Sequence, residues 1–110
     1  MLLQATEKTF SQIILDAKQP VLVHFWAPWC GLCHLIQPLL LQLQNQWRGQ
    51  LEIVTFNADD SLRLANTYRL RSLPTLILFA NGKEIHRFEG ITGREEIQKI
   101  LKQMNVSLVA

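Results

Sequence analysis

Neither sign of charge prevails in this chain of 110 residues: eleven lysines and arginines face nine aspartates and glutamates, a formal charge of +2. That balance gives no claim to nucleic acid or to a membrane surface as partner. No apolar run reaches the ~18 residues that a membrane span needs, which excludes a transmembrane protein. Two cysteines are too few for the multi-bridge framework of a small secreted domain. Met1 to Lys8 show no basic head, apolar stretch or small-residue cleavage site, so no secretory signal is expected and the cytoplasm is the default. Repeats, low-complexity tracts and Gly/Ser linkers are missing too, and the four prolines and five glycines are dispersed singly. Residues 1–110 therefore read as one domain. What is there suits a folded chain: 48% of residues are hydrophobic and 18% charged. At this length a single core buries roughly two thirds of the surface that the unfolded chain would expose.

Hydrophobic periodicity sets the order of elements. Leu2 to Ala5 reads as a short edge strand, and Thr6 as the cap of a helix with Phe10, Ile13, Ile14 and Ala17 on one side. Pro20 ends it. Val21 to Trp26 is almost unbroken apolar, β-branched and aromatic, the pattern of a strand covered on both faces. Leu32, Leu35, Ile36, Leu39, Leu40, Leu43 and Trp47 then recur at steps of three and four, predicting a long helix that Pro38 should kink without abolishing. Ile53 to Phe56 is a second buried strand, and Asp59-Asp60-Ser61 caps a short helix over Leu62 to Tyr68. Asn81-Gly82, two residues that tolerate positive φ, join Thr75–Phe79 and Glu84–Phe88 into a hairpin. Thr92-Gly93-Arg94-Glu95 has capping-box spacing ahead of a last helix with Ile97, Ile100, Leu101 and Met104 on its apolar side. The predicted class is α/β, a central mixed sheet with helices on both faces, and such sheets place their sites at the C-terminal ends of strands.

One constellation there carries chemistry. Trp26-Ala27-Pro28-Trp29-Cys30-Gly31-Leu32-Cys33-His34 runs from the central strand into the long helix, so both cysteines straddle a helix start. Unpaired amides and the positive end of the helix dipole favour a thiolate at the first cysteine, and the spacing brings the second sulfur within bonding reach. One thiol attacks and the other resolves, without movement of the scaffold. Three other readings compete. Half of a zinc site fails for want of further ligands at suitable spacing, since His24, His34 and His86 form no knuckle. Inert core thiols fit poorly beside Trp29 and Gly31 in a loop-to-helix turn. A purely structural disulfide would close so short a loop that it would add little stability. The position of the motif favours redox function.

These residues resemble the thioredoxin family. Phe25-Trp26-Ala27-Pro28-Trp29-Cys30-Gly31-Leu32-Cys33, Ser72-Leu73-Pro74-Thr75, Phe79-Ala80-Asn81-Gly82 and Gly90 occur in that family's order, over nearly the whole chain. The resemblance implies the thioredoxin fold, with Cys30 the exposed nucleophile and Cys33 the buried resolving thiol. It further implies a cis bond between Leu73 and Pro74, lying beside the disulfide, with Leu73 backbone groups facing a substrate peptide. Trp29, Gly31, Leu32, Leu73, Pro74, Gly90 and Ile91 then make up the substrate-binding surface. No metal and no bound cofactor are expected, only a reversible Cys30–Cys33 disulfide. The implied partners are disulfide-containing target proteins and an external thioredoxin reductase drawing on NADPH or ferredoxin, with the chain itself a monomer.

Three residues depart from the family pattern. Leu32 stands where proline is usual, which loosens the turn and restores a backbone N–H at the helix start, favouring the Cys30 thiolate. His24 stands where a buried aspartate helps to deprotonate the resolving cysteine. From its neighbours alone His24 is a neutral core residue; the resemblance sets it below Cys33 and gives it a proton-transfer role. Glu89, just before Gly90, puts a carboxylate on a rim that is generally apolar and would select against acidic partners. The sequence therefore predicts a protein-disulfide reductase. Its rivals are a disulfide oxidase or isomerase, and a binding module of the same fold in which the cysteines are incidental.

Overall fold

A computed structural model describes residues 2–109, and side chains to Met104. Five strands form one mixed sheet: β1 (Leu3–Ala5), β2 (Val21–Trp26), β3 (Glu52–Asn57), β4 (Thr75–Ala80) and β5 (Lys83–Phe88). Their spatial order is β1-β3-β2-β4-β5, with β1, β3 and β2 parallel and β4 and β5 antiparallel to their neighbours. Helices α1 (Gly31–Gln46), α2 (Leu62–Thr67) and α3 (Arg94–Val109) pack around it.

Side-chain alternation along the strands divides the core in two. Leu22, Ile53, Leu76 and Leu78 point to the face that Ile36, Leu40 and Leu43 of α1 and Ile97, Ile100 and Met104 of α3 cover. Val21, Val23, Phe25, Val54, Phe56, Ile77 and Phe79 point the other way, against Phe10, Ile14 and Leu64. That second layer is largely aromatic. Phe10 meets Phe56 and Phe79 edge to face at centroid distances of 5.7 and 6.2 Å, and half-buried Tyr68 closes the cluster. Each buried Leu, Ile or Phe contributes about 1.5–3 kcal/mol of transfer free energy, so the two layers hold the sheet rigid. β2 is central, as its unbroken apolar run predicts.

Local chemistry sets the ends of elements. Ser61 caps α2, its Oγ accepting from the Leu64 amide at 3.1 Å. Asn81 and Gly82 sit at φ 54° and 78°, the left-handed pair that the hairpin turn requires. The α1 helix runs through Pro38 unbroken. The missing amide costs one backbone bond, and the stripe of Ile36, Leu40 and Leu43 offsets it.

Two local expectations change. The first helical segment is a π-helical turn, Ser11–Leu15, preceded by Phe10, and the Asp16 amide donates to the Ser11 carbonyl at 3.0 Å. Thr6 does offer its side-chain oxygen, but to the turn that leads into this segment, while the residue directly before the π turn is Phe10: the Thr9 amide donates to Thr6 Oγ1 at 3.3 Å and the Thr6 amide to Thr9 Oγ1 at 2.9 Å. A widened turn still buries Phe10 and Ile14 together, so spacing alone does not separate π from α. At α3 the partner of Thr92 is Glu96 and not Glu95: one carboxylate oxygen accepts from both the Thr92 amide and its hydroxyl at 2.9 Å. These bonds hold the Glu96 carboxyl below the usual carboxylate range.

Candidate active site

The β2 strand ends at Trp26, and a four-residue crossing leads to α1, whose first residue follows Cys30 directly. Cys30 has extended backbone and is the N-cap; its Sγ accepts from the Cys33 amide at 3.2 Å. A sulfur thus takes the place that Ser, Thr, Asp or Asn usually fills, with an unpaired helix amide aimed at it. The two cysteines form a disulfide, their Cα atoms 5.3 Å apart. The Cys30 residue is 6% exposed and Cys33 1%. Cys30 is therefore slightly the more accessible of the two, but it is less exposed than the resemblance implies; its amide donates to the Ala27 carbonyl at 3.1 Å. The amide that reaches Cys30 Sγ belongs to Cys33, one residue beyond Leu32. Gly31 and Leu32 form the first turn of α1, Gly31 exposed and Leu32 half-buried.

Trp29 is 71% exposed, and its indole N–H donates to Asp59 Oδ2 at 3.1 Å. This bond stands the ring at the side of a groove of about 250 Å³ that it shares with Ala58, Leu62, Leu70, Arg71 and Leu73. Leu62, 78% exposed at the start of α2, belongs to this apolar wall. In the sequence Leu62 is legible only as the beginning of a helix, because its spacing does not tell an exposed apolar residue from a buried one. The Leu73–Pro74 peptide is cis, and Pro74 is buried. Gly90 has φ +68°, and its amide donates to Ser72 Oγ at 3.2 Å, bringing the loop after β5 against the segment before Pro74. Ile91 differs from expectation. Its side chain is 6% exposed and packs in the core layer under α1 and α3, so only its backbone is left for a substrate. Glu89 is not a bare charge either: Arg87 Nη1 lies 3.7 Å from its carboxylate while also binding Glu84, so its selection against acidic partners is weakened.

His24 is fully buried, and neither ring nitrogen has a hydrogen-bond partner. It shares the sheet face of Leu22, and its neighbours in register are Thr55 on β3 and Leu76 on β4. Because α1 runs back over β2, a residue two steps nearer the strand's end lies beneath an earlier turn of the helix than Leu22 does. Burial pushes the His24 pKa down to about 4, and His34 on that first turn adds repulsion. The ring is therefore neutral at neutral pH. His34 lies on the helix surface; its Nε2 lies 3.0 Å from the Pro28 carbonyl, which only accepts, so Nε2 carries the proton. Trp26 is half-buried, edge-on to His34 at 5.9 Å, and its indole N–H is buried without a partner beside a cavity of about 450 Å³ that Thr55, Gln37 and Leu41 also line.

Among the described residues no group of three His, Cys, Asp or Glu side chains is placed to hold a metal ion. Among the described residues no helix is long and apolar enough to cross a membrane. The arrangement offers a dithiol that closes on itself, an amide aimed at its outer sulfur, and an apolar groove alongside. Such a site exchanges thiols with disulfides.

Comparison with known proteins agrees. The family model named Thioredoxin matches residues 1–103. "Thioredoxin 1" of Nostoc sp. is 36% identical over 100 residues, covering 91% of this chain and 94% of the relative. "Thioredoxin" of Synechocystis sp. is 33% identical with the same coverage. "Thioredoxin M4, chloroplastic" of Arabidopsis thaliana is 39% identical over 93 residues, 84% of this chain and 48% of that protein.

Proposed function

The chain belongs to the thioredoxin family and is a protein-disulfide reductase that works without a bound cofactor; from this premise we propose how its residues divide the work. Neither the binding-module rival nor the oxidase or isomerase rival is favoured, given a cysteine pair closed as a disulfide in a chain so similar to named thioredoxins.

The Cys30 thiolate attacks one sulfur of a target disulfide. The other target sulfur leaves as a thiolate and takes a proton from water, and a mixed disulfide with Cys30 remains. Cys33 then loses its proton and attacks Cys30 Sγ, releasing the second target thiolate. Two electrons have passed to the target, and Cys30–Cys33 is oxidised. The observation that carries these roles is the Cys33 amide on Cys30 Sγ, with the Cys33 side chain itself buried. A dipole and an N–H at the outer sulfur favour its anion, whereas burial without such help opposes ionisation of the inner one.

The inner thiol therefore needs a proton acceptor, and His24 is our candidate. Its face of β2, under the first turns of α1, and its two unpaired nitrogens support the role. With a pKa of about 4 in the oxidised protein His24 is a weak base. A thiolate forming beside it raises its proton affinity, because the imidazolium and the thiolate attract in a low dielectric. Target segments lie across Trp29, Gly31, Leu32, Leu73, Pro74 and Gly90, with the backbone of Ile91 at the margin. Leu73, Trp29 and the groove between them support that placement.

The finer setting is also a proposal: a monomer of one domain over residues 1–110, in the cytoplasm, reoxidised by targets and reduced by an NADPH- or ferredoxin-linked thioredoxin reductase. A dithiol that must be returned to the reduced state fits a reducing compartment. The test traps the intermediate. Cys33→Ser mixed with an oxidised protein target should give a one-to-one covalent adduct through Cys30 that dithiothreitol releases, and Cys30→Ser should give none. An adduct formed by Cys30→Ser but not by Cys33→Ser would reverse the roles.

A further inference from the structure

The two loops that flank the site leave the same end of the β4–β5 hairpin. Leu76 pairs with Phe88, so Ser72–Pro74, just before β4, and Glu89–Ile91, just after β5, emerge side by side. Their anchoring differs. Ser72 is fixed to the sheet, because its carbonyl accepts from Thr75 Oγ1 at 2.7 Å and Thr75 is fully buried. Gly90 has no such support of its own. It is exposed, its φ of +68° is open to glycine but strained for other residues, and a Cβ there would meet nothing within 4 Å. What holds its amide is the Ser72 hydroxyl at 3.2 Å. On the far side Arg87 ties the end of β5 to the Arg69 carbonyl at 3.5 Å, and on the near side Ile91 is sunk in the core. Gly90 is thus a pliable link between two anchored residues.

We propose that Ser72 is a positioning residue that locks the Gly90 loop to the segment before Pro74, so that the site meets an extended polypeptide with both rims already in register. The hydroxyl oxygen accepts the Gly90 N–H, which leaves the hydroxyl proton free to turn toward the groove that Ser72 shares with Trp29 and Leu73. There it is a donor for a backbone carbonyl of the bound segment. Among the described residues Ser72 makes no hydrogen bond to either cysteine, its bonds being to Thr75 and Gly90. The lock therefore acts on recognition of polypeptide disulfides and not on the intrinsic exchange chemistry, and discrimination between protein and small-molecule disulfides is its consequence. This inference rests on the placement of targets against Leu73 and Gly90 given above.

The experiment compares the full chain with Ser72→Ala and Ser72→Thr. Amide exchange at Gly90, followed by NMR at low pH, should quicken by up to about tenfold in Ser72→Ala, the factor for loss of one neutral hydrogen bond, and return in Ser72→Thr. The ratio of kcat/KM for a protein disulfide to that for a small aromatic disulfide should fall about fivefold in Ser72→Ala, through KM for the protein, and recover in Ser72→Thr. Unchanged Gly90 exchange in Ser72→Ala would overturn the lock itself. Faster exchange with an unchanged ratio would keep the hydrogen bond but overturn the placement of targets across both loops.

Discussion

The amide of Cys33 donates to Sγ of Cys30 at 3.2 Å, so the resolving residue supplies, through its backbone, the hydrogen bond that favours the attacking sulfur's anion. Cys30 is at once the cap of α1 and the candidate nucleophile. The helix gains by keeping an anion there, and the anion gains by staying at the helix start. Either partner of such a pair contributes about 0.3–1 kcal/mol at an exposed terminus and up to ~2 when partly buried.

Leu32 lies between these two residues, in the first turn of α1. In Leu32→Pro the turn stiffens and an amide at the positive end of the helix disappears, which destabilises the reduced, thiolate-bearing state relative to the disulfide. The potential should move by roughly 30 mV toward the reducing side, since that interval corresponds to about 1.4 kcal/mol in this two-electron couple. Equilibration with glutathione measures it. An unchanged or more oxidising potential would remove Leu32 from the account.

His24 makes stability depend on pH. Its pKa falls from 6.5 to about 4 on folding, through burial and then through His34, so between those values the unfolded chain binds the proton and the folded chain does not. Folding is free of this penalty above about pH 6.5, and the penalty grows as pH falls toward 4. At pH 4.5 it amounts to about 2–3 kcal/mol at ~1.4 kcal/mol per unit. The loss in unfolding free energy between pH 7 and 4.5 should be smaller by that amount in His24→Leu than in the parent, by urea titration of both. Equal losses would show that the ring is hydrated or paired and is not held neutral by burial.

Leu62 exposes most of its surface beside the groove of Trp29 and Leu73. A substitution at so open a site should change stability by no more than about 0.5 kcal/mol. Leu62→Glu should nonetheless raise KM for a protein disulfide several-fold, because an apolar wall of the groove becomes charged and hydrated. Steady-state rates with protein and small-molecule disulfides check this; a KM for the protein unchanged in Leu62→Glu would move targets away from α2.

Much of this was legible in the chain before its coordinates. The unbroken apolar run Val21–Trp26 gave the central strand, Asn81-Gly82 the hairpin, and the spacing of Ile36, Leu40 and Leu43 the buried face of α1. Cysteines at a strand-to-helix junction gave the redox site. Other features are set by tertiary packing and leave no periodic trace. The π turn at Ser11–Leu15 follows from the aromatic layer that Phe10 joins. The choice of Glu96 over Glu95 depends on how α3 sets its first turn, which a spacing rule does not resolve. Ile91 reads as a rim residue by its place after Gly90, yet the core layer takes its side chain. The Ser72–Gly90 bond joins residues eighteen apart that meet only once β4 and β5 are paired.

The central claim is that Cys30, held at the helix start by the Cys33 amide, is the thiol that attacks. Brief treatment of the reduced protein with iodoacetamide at neutral pH, followed by mass spectrometry of its peptides, reads this directly. Carbamidomethylation of Cys30 should come first, with Cys33 modified only after longer exposure or unfolding; early modification of Cys33 in preference to Cys30 would reverse the two roles.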